Sequence, residues 1–156
     1  PSQANAKGIE LSANYNYQPN INVWAAFAFG AAEDKINDII VPRSWNQTRS
    51  LQIGGKIELN NWQFNTQLLW RSGSPYTQLP LFTKDLQTPI AYNRNSRNFS
   101  DYLSVDIHLS RIWTLRHGQL QATIDITNAT NTKNTTMIQP KSLSHIDIIL
   151  RGSIHD

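Results

Sequence analysis

Residues 100–131 contain two consecutive runs in which apolar and polar residues alternate, and this pattern constrains the fold more than any other feature of the sequence. The first run places Leu103, Val105, Ile107, Leu109 and Trp113 on one face and Ser104, Asp106, His108 and Ser110 on the other. After the turn Arg116-His117-Gly118, the second run places Leu120, Ala122, Ile124 and Ile126 opposite Gln121, Thr123, Asp125 and Thr127. A repeat of two is that of a β-strand. Two such runs joined by a short glycine-containing turn predict an antiparallel hairpin.

The length of these runs indicates a membrane. Each is about ten residues long or longer, whereas strands of soluble sheets are commonly ~5–6 residues. A tilted strand needs ~9–11 residues to cross a bilayer. The runs therefore have the length of transmembrane strands.

Similar alternation predicts five more strands, at residues 8–17, 21–32, 50–59, 62–71 and 143–154. The connections between the seven strands alternate in length. Those around Pro19-Asn20, Asn60-Asn61 and His117-Gly118 are short, and those at residues 33–48, 72–99 and 129–142 are long. Short periplasmic turns alternating with longer extracellular loops are typical of outer-membrane barrels. Tryptophans at both ends of the 62–71 strand match the aromatic girdles of such barrels.

Composition agrees with a wet barrel interior. The 156 residues allow one domain, and the mean hydropathy of −0.46 comes with only 16% charged residues. The polarity therefore comes from Asn, Gln, Ser and Thr, which suit a polar lumen. No apolar run is long enough for a transmembrane helix, and the absence of cysteine excludes disulfides and thiolate metal sites. Because the chain begins Pro-Ser-Gln, we interpret it as a mature or truncated piece.

These patterns predict an all-β fold, a transmembrane antiparallel β-barrel portion of about seven up-and-down strands. The alternative is a soluble β-sandwich, which also has strands of period two. A sandwich, however, rarely needs so many strands of this length with aromatic residues at their ends. The basic residues behind the charge of +3 and the pI near 9.4 are scattered, so we expect no nucleic-acid binding.

Three motifs resemble, in the same order, the C-terminal barrel portion of TonB-dependent outer-membrane receptors. The first is VPRSWNQTRSLQIGGKI at residues 41–57, similar to the family's proline-arginine-tryptophan loop and the strand after it. The second is RSGSPYTQ at residues 71–78, and the third is NSRNFSDYLSVDIHLSRIW followed by LQATIDITNATNTKN, similar to the penultimate hairpin and its asparagine motif. Ala129-Thr130 departs from the usual Leu-Phe of that motif, and the last predicted strand lacks the usual terminal aromatic residue.

The resemblance implies a fragment of a barrel in the 22-strand class, with residues 1–156 as its C-terminal segment and the N-terminal plug absent. Seven strands are about a third of such a wall, so we expect an open, curved sheet with two free edges. The competing possibility is a small closed barrel. The resemblance further implies location in the outer membrane of a Gram-negative bacterium and active uptake of a scarce nutrient, such as a siderophore, a vitamin or an oligosaccharide. The implied partners are outer-membrane lipid and lipopolysaccharide, the nutrient, and the TonB complex through the missing plug region. The alternative function is a passive porin-like barrel or an adhesin.

Two groups of residues are candidate site residues. The candidates for substrate contact lie in the predicted extracellular loops and are Arg43, Trp45, Pro75, Tyr76, Tyr92 and Arg94. The candidates for the lumen lining lie on polar strand faces and are Gln52, Lys56, Glu58, Gln67, Arg71, Asp106, His108 and Asp125. Arginines 43, 49, 94 and 97 could meet lipopolysaccharide phosphates or an anionic substrate, or could simply be solvated. Arg111 falls on the apolar face near Trp113, where we expect it to extend its charge towards the interface.

We expect no enzymatic activity, metal or cofactor. Ser104, Asp106 and His108 share a strand face, which permits a Ser-His-Asp interpretation. Same-face neighbours on one strand are ~6.6–6.8 Å apart, however, and a proton relay needs ~2.6–3.2 Å. The four histidines lack the spacing of a zinc motif.

Overall fold

The fold is an open antiparallel β-sheet, described here from a computed structural model. The structure describes residues 3–78, 94–135 and 144–154, apart from the side chains of residues 153 and 154. The strands are β1 (Gln3–Gln18), β2 (Ile21–Ile36), β3 (Ile39–Pro42), β4 (Arg49–Leu59), β5 (Trp62–Arg71), β6 (Pro75–Tyr76), β7 (Arg97–Asn98), β8 (Tyr102–Leu115), β9 (Gly118–Thr127) and β10 (His145–Ile154). Within these ranges, no helix is long and apolar enough to cross a membrane.

The main sheet follows the order β1-β2-β4-β5-β8-β9-β10, with β3 added to the end of β2. All pairs are antiparallel, and the two outermost strands of this order are not paired with each other. β6 and β7 form a separate two-stranded sheet. The predicted all-β, up-and-down sheet with open edges is therefore confirmed.

Three two-residue turns fix the register. Gln18 pairs with Ile21, Leu59 with Trp62, and Leu115 with Gly118, so that the turns lie at the same end of the sheet. Asn60 in the second turn has a φ of 53°, the left-handed region that asparagine tolerates. We call this end of the sheet the short-turn end and the opposite end the long-loop end.

Because of this register, apolar residues of neighbouring strands pair with each other, and so do polar residues, which gives rows across the whole sheet. One row runs Tyr15, Val23, Gly55, Thr66, Ile107, Ile126, Ile146, and the neighbouring row begins Asn14, Trp24, Gly54, Gln67, Asp106. Each row lies on a single face because side chains alternate between faces along every strand. The sheet therefore has one apolar face and one polar face from edge to edge.

The apolar face is not covered by a second layer of the described residues. Among the described residues, only Ala32 and Val41 are buried hydrophobic residues, whereas Ile9 and Leu11 on β1 are each 66% exposed and Phe64 at the centre is 38% exposed. A soluble sandwich would bury such side chains between two sheets. The described residues do not form that core.

Two predicted boundaries were wrong. Residues 33–48 were assigned to a loop, but β2 continues to Ile36 and pairs with β3, from Ile36 opposite Ile39 to Glu33 opposite Pro42. Asn37 and Asp38 between them have φ values of 49° and 64°, the pair of left-handed residues that a type I′ hairpin turn requires. β1 also begins earlier than predicted, because Gln3 pairs with Lys35 at the extended end of β2. The predicted 72–99 loop also contains the paired strands β6 and β7, and part of this loop and of the 129–142 loop lies outside the described residues.

Candidate functional site

The polar face contains a shallow cavity at its centre. Its volume is about 190 Å³, and its lining includes Trp24, Gln67, Asp106, His108 and Asp125. The indole of Trp24 lies directly over Gly54, where an added Cβ would come within 2.1 Å of the ring. Gly54 therefore provides the space that lets this large side chain lie flat on the polar face.

Hydrogen bonds between neighbouring strands organise the cavity wall. The ring of His108 contacts the carboxylate of Asp125 through Nδ1, and the Ser104 hydroxyl donates to Asp106 at 2.8 Å. The backbone N–H of Asn128 donates to the same Asp106 oxygen at 2.9 Å. Such a wall offers charged and neutral partners to a polar solute.

The serine and the histidine of the Ser-His-Asp interpretation bond to two different carboxylates. The Ser104 hydroxyl is directed to Asp106, and the Ser110 hydroxyl accepts a bond from Gln121 at 2.9 Å in a position only 2% exposed. His108 is bonded to the aspartate of the next strand instead. The described residues also contain no group of three metal-ligating side chains. That the chain is not an enzyme stays a prediction.

All eight candidates for the lumen lining lie on the polar face: Gln52, Lys56, Glu58, Gln67, Arg71, Asp106, His108 and Asp125. Lys56 and Glu58 form an ion pair of 2.6 Å. The Arg71 guanidinium stacks over Tyr102 at 4.6 Å, and its buried Nε has no hydrogen-bond partner. The face is therefore polar and charged as predicted, while its role as a lumen stays a prediction.

The candidates for substrate contact are partly assembled at the long-loop end. Arg43 binds Asp34 through Nη2 at 2.8 Å and stacks over Trp45, whose own surface is 63% exposed. Tyr76 stacks on Phe99 with ring centroids 4.5 Å apart, beside the buried Pro75. Arg94 is an exposed residue in a turn, and Tyr92 is outside the described residues.

Asn95, which the sequence analysis missed, connects these segments. Its side-chain Nδ2 donates to the Pro42 carbonyl at 2.6 Å and to the Ser44 hydroxyl at 3.3 Å. Its backbone N–H donates to the Thr77 hydroxyl at 3.0 Å. Asn95 is 6% exposed and has a φ of 54°. One buried residue thus holds together the loop of Arg43 and Trp45, the Pro75-Tyr76 segment and the Arg94 turn.

Asn95→Ala is expected to lower the free energy of unfolding by about 1–3 kcal/mol, because it leaves the Pro42 carbonyl without its donor. The loop from β3 to β4 should become more susceptible to limited proteolysis. Asn98→Ala is the matched control, since Asn98 lies in the same segment but is exposed. Equal proteolysis of the two variants would contradict the role given to Asn95.

Two further asparagines form side-chain hydrogen bonds in the loop that follows β9 and at the start of β8. The amide of Asn134 donates to the Leu103 carbonyl and accepts from the Leu103 N–H, both at 2.8 Å, so it substitutes for a neighbouring strand. Asn128 accepts from the Thr132 N–H and donates to the Thr132 carbonyl. The asparagine-rich motif of the sequence therefore closes a tight loop against the edge of β8.

Comparisons of the chain with protein-family models, with curated proteins and with solved structures gave no significant match.

Proposed function

We propose that the chain is part of the wall of an outer-membrane TonB-dependent receptor, which takes up a scarce nutrient such as a siderophore, a vitamin or an oligosaccharide. The observation that carries the proposal is the exposed apolar face, which extends over seven strands opposite a polar face. Exposed apolar patches of this extent mark lipid or protein contacts. Lipid on one side and water on the other is the environment that matches both faces.

The dimensions of the apolar face support this environment. Trp62 and Trp70 lie on it in the rows that pair with Arg111 and Leu103, near its two ends. They are eight positions apart on one strand, which is about 27 Å. A tilt of ~35–45° reduces this to roughly 20 Å, close to the ~25 Å apolar band between the aromatic girdles of outer-membrane barrels.

The receptor assignment rests on the three motifs and on the packing of two of them. The loop of Arg43 and Trp45 and the segment of Pro75 and Tyr76 meet at the long-loop end through Asn95. In the proposed orientation this end faces the cell exterior. Exposed aromatic and cationic side chains there would make the first contact with the nutrient.

Spin labels on successive residues of β5 test the membrane wall. Residues 1–156 contain no cysteine, so single cysteines are placed at residues 63–68 of the full-length protein in outer-membrane vesicles, after any cysteine elsewhere in that protein is replaced by serine. Labels at Phe64, Thr66 and Leu68 should collide with oxygen, and those at Gln63, Asn65 and Gln67 with a water-soluble nickel chelate. Access of the nickel chelate to both sets would contradict a lipid-facing side. Protection of the even-numbered set from both reagents would indicate a protein core.

Uptake measurements test the receptor against the passive barrel or adhesin. Cells that carry the protein are given a radiolabelled ferric siderophore, cobalamin or maltooligosaccharide, with and without a protonophore. A receptor coupled to the TonB complex should accumulate one of these, and the protonophore should abolish the accumulation. Uptake that persists in the protonophore would favour the passive barrel.

A further inference from the structure

Arg111 is a charged residue on the apolar face. Its row runs from Leu59 and Trp62 through Arg111 to Ala122 and Leu150, near the short-turn end. Every other member of this row is apolar or aromatic. A guanidinium keeps its charge in any protein environment, so its donors need acceptors from the protein, from water or from a ligand.

Two indole rings hold the guanidinium in place. Its Cζ lies 4.8 Å from the ring centroid of Trp62 and 4.9 Å from that of Trp113. Trp62 belongs to β5, and Trp113 follows Arg111 by two residues on β8. Cation–π contacts of this kind orient the group, but they provide no hydrogen-bond acceptor.

Among the described residues, no hydrogen-bond acceptor is found for the donors of Arg111. Its Nε is buried without a hydrogen-bond partner, and Arg111 forms no ion pair with a carboxylate of the described residues. Arg43, by contrast, stacks on one tryptophan and also binds Asp34. Arg49, at the long-loop end, lies over Trp70 alone at 6.0 Å. The double indole clamp around an unpaired guanidinium therefore occurs at the short-turn end.

We propose that Arg111, held between Trp62 and Trp113, binds the phosphate of a membrane phospholipid at the short-turn end of the sheet. The planar fork of the guanidinium matches two phosphate oxygens. The site lies where the apolar band ends, at the depth where headgroups meet tryptophan side chains. The acyl chains of the same lipid would cover the neighbouring apolar row. This inference rests on the proposed membrane wall.

Native mass spectrometry of the full-length protein in mild detergent tests the site, with phosphatidylglycerol and the diacylglycerol of the same chain length as probes. The wild-type protein should retain phosphatidylglycerol and not diacylglycerol. Arg111→Gln should reduce the retained phosphatidylglycerol about tenfold, and Arg111→Lys should give an intermediate value because it keeps the charge without the planar fork. Arg116→Gln is the matched control, since Arg116 is an exposed arginine in the nearby turn. It should retain lipid like the wild type.

Three outcomes would overturn the proposal: equal retention by wild type and Arg111→Gln, equal retention of both lipids by the wild type, or displacement by millimolar inorganic phosphate. The last would make a free anion the ligand. If Arg111→Gln does not fold, two measurements still test the proposal. They are the retention of the two lipids by the wild type and the retention of phosphatidylglycerol by Arg111→Lys. The β5 spin labels distinguish rejection of the phosphate site from rejection of the membrane wall. If the labels alternate between oxygen and nickel access while Arg111→Gln has no effect on lipid retention, only the phosphate site is rejected.

Discussion

Val23→Arg is expected to lower the free energy of unfolding in lipid by about 2–4 kcal/mol, the cost of an arginine on the lipid face of a barrel at the midplane. Val23 shares a row with Thr66, which is halfway between Trp62 and Trp70 on β5. Because Val23 is only two strands away from Thr66 in this row, it lies in the central part of the apolar band even when the strands are tilted. From this depth the arginine can reach the interface only if its side chain snorkels or the bilayer thins locally.

Leu59→Arg is the control that separates the effect of depth in the bilayer from the effect of side-chain exposure. Val23 is 45% exposed and Leu59 is 57% exposed, so a sheet in water would tolerate both arginines to a similar degree. Leu59 belongs to the row of Trp62, near the end of the apolar band. A lipid-facing arginine there should cost only ~0–1 kcal/mol. Gln67→Arg, on the polar face opposite Asp106, should be nearly neutral.

The measurement is urea unfolding of the full-length protein in phospholipid vesicles, followed by tryptophan fluorescence. A larger loss of unfolding free energy for Val23→Arg than for Leu59→Arg supports contact with lipid. Equal small costs for both variants would mean that water covers the apolar face. That outcome would remove the basis of the proposed receptor wall.

The sequence could predict the two faces because strand periodicity and turn length together determine register. A slip of one residue would transfer every apolar side chain to the other face. The two-residue turn at Asn60-Asn61 prevents such a slip between β4 and β5. The same reasoning applies to the β8–β9 hairpin, and both pairs have the predicted faces.

The β2–β3 hairpin was missed although its turn residues were visible. Asn37-Asp38 is a suitable sequence for a type I′ turn. The strand that follows is only four residues long and ends at Pro42, so its alternation is too short to detect. Pro42 is tolerated because a strand end or edge does not require every backbone donor.

The assembly of the long-loop end could not be predicted, because it depends on contacts far apart in sequence. Asn95 is separated by 53 positions from Pro42 and by 18 from Thr77. Neither separation leaves a periodic signal. The position of Arg111 on the apolar face was predicted from alternation, whereas the indole of Trp62 on its other side follows from the β5–β8 register.

Gly73→Ala is expected to lower the free energy of unfolding by about 3 kcal/mol, at the upper end of the usual cost of overpacking. A Cβ on Gly73 would lie 1.8 Å from the Phe99 carbonyl oxygen and 2.5 Å from its carbonyl carbon. Both atoms belong to the backbone, so no rotation of a side chain can relieve the clash. The segment of Phe99 must move away from the segment of Gly73.

That displacement should disrupt three further contacts. The Phe99 N–H donates to the Ser74 carbonyl at 3.0 Å, the Gly73 N–H donates to Asp101 at 3.1 Å, and the Phe99 ring stacks on Tyr76. We therefore expect the β6–β7 pair to open. Limited proteolysis should then cut the 72–78 segment faster than in the wild type.

Gly55→Ala is the matched control, because a Cβ there would meet its nearest atoms at 3.6 Å, an ordinary contact distance. Its unfolding free energy should stay within about 0.5 kcal/mol of the wild-type value. If Gly73→Ala and Gly55→Ala unfold at the same urea concentration, the Phe99 backbone does not lie against Gly73. The Pro75-Tyr76 segment would then be joined to the Arg43 loop through the hydrogen bonds of Asn95 without support from the Gly73–Phe99 contact. The proposed nutrient contact at the long-loop end needs these two segments held side by side, and in that case the Asn95 hydrogen bonds would have to hold them.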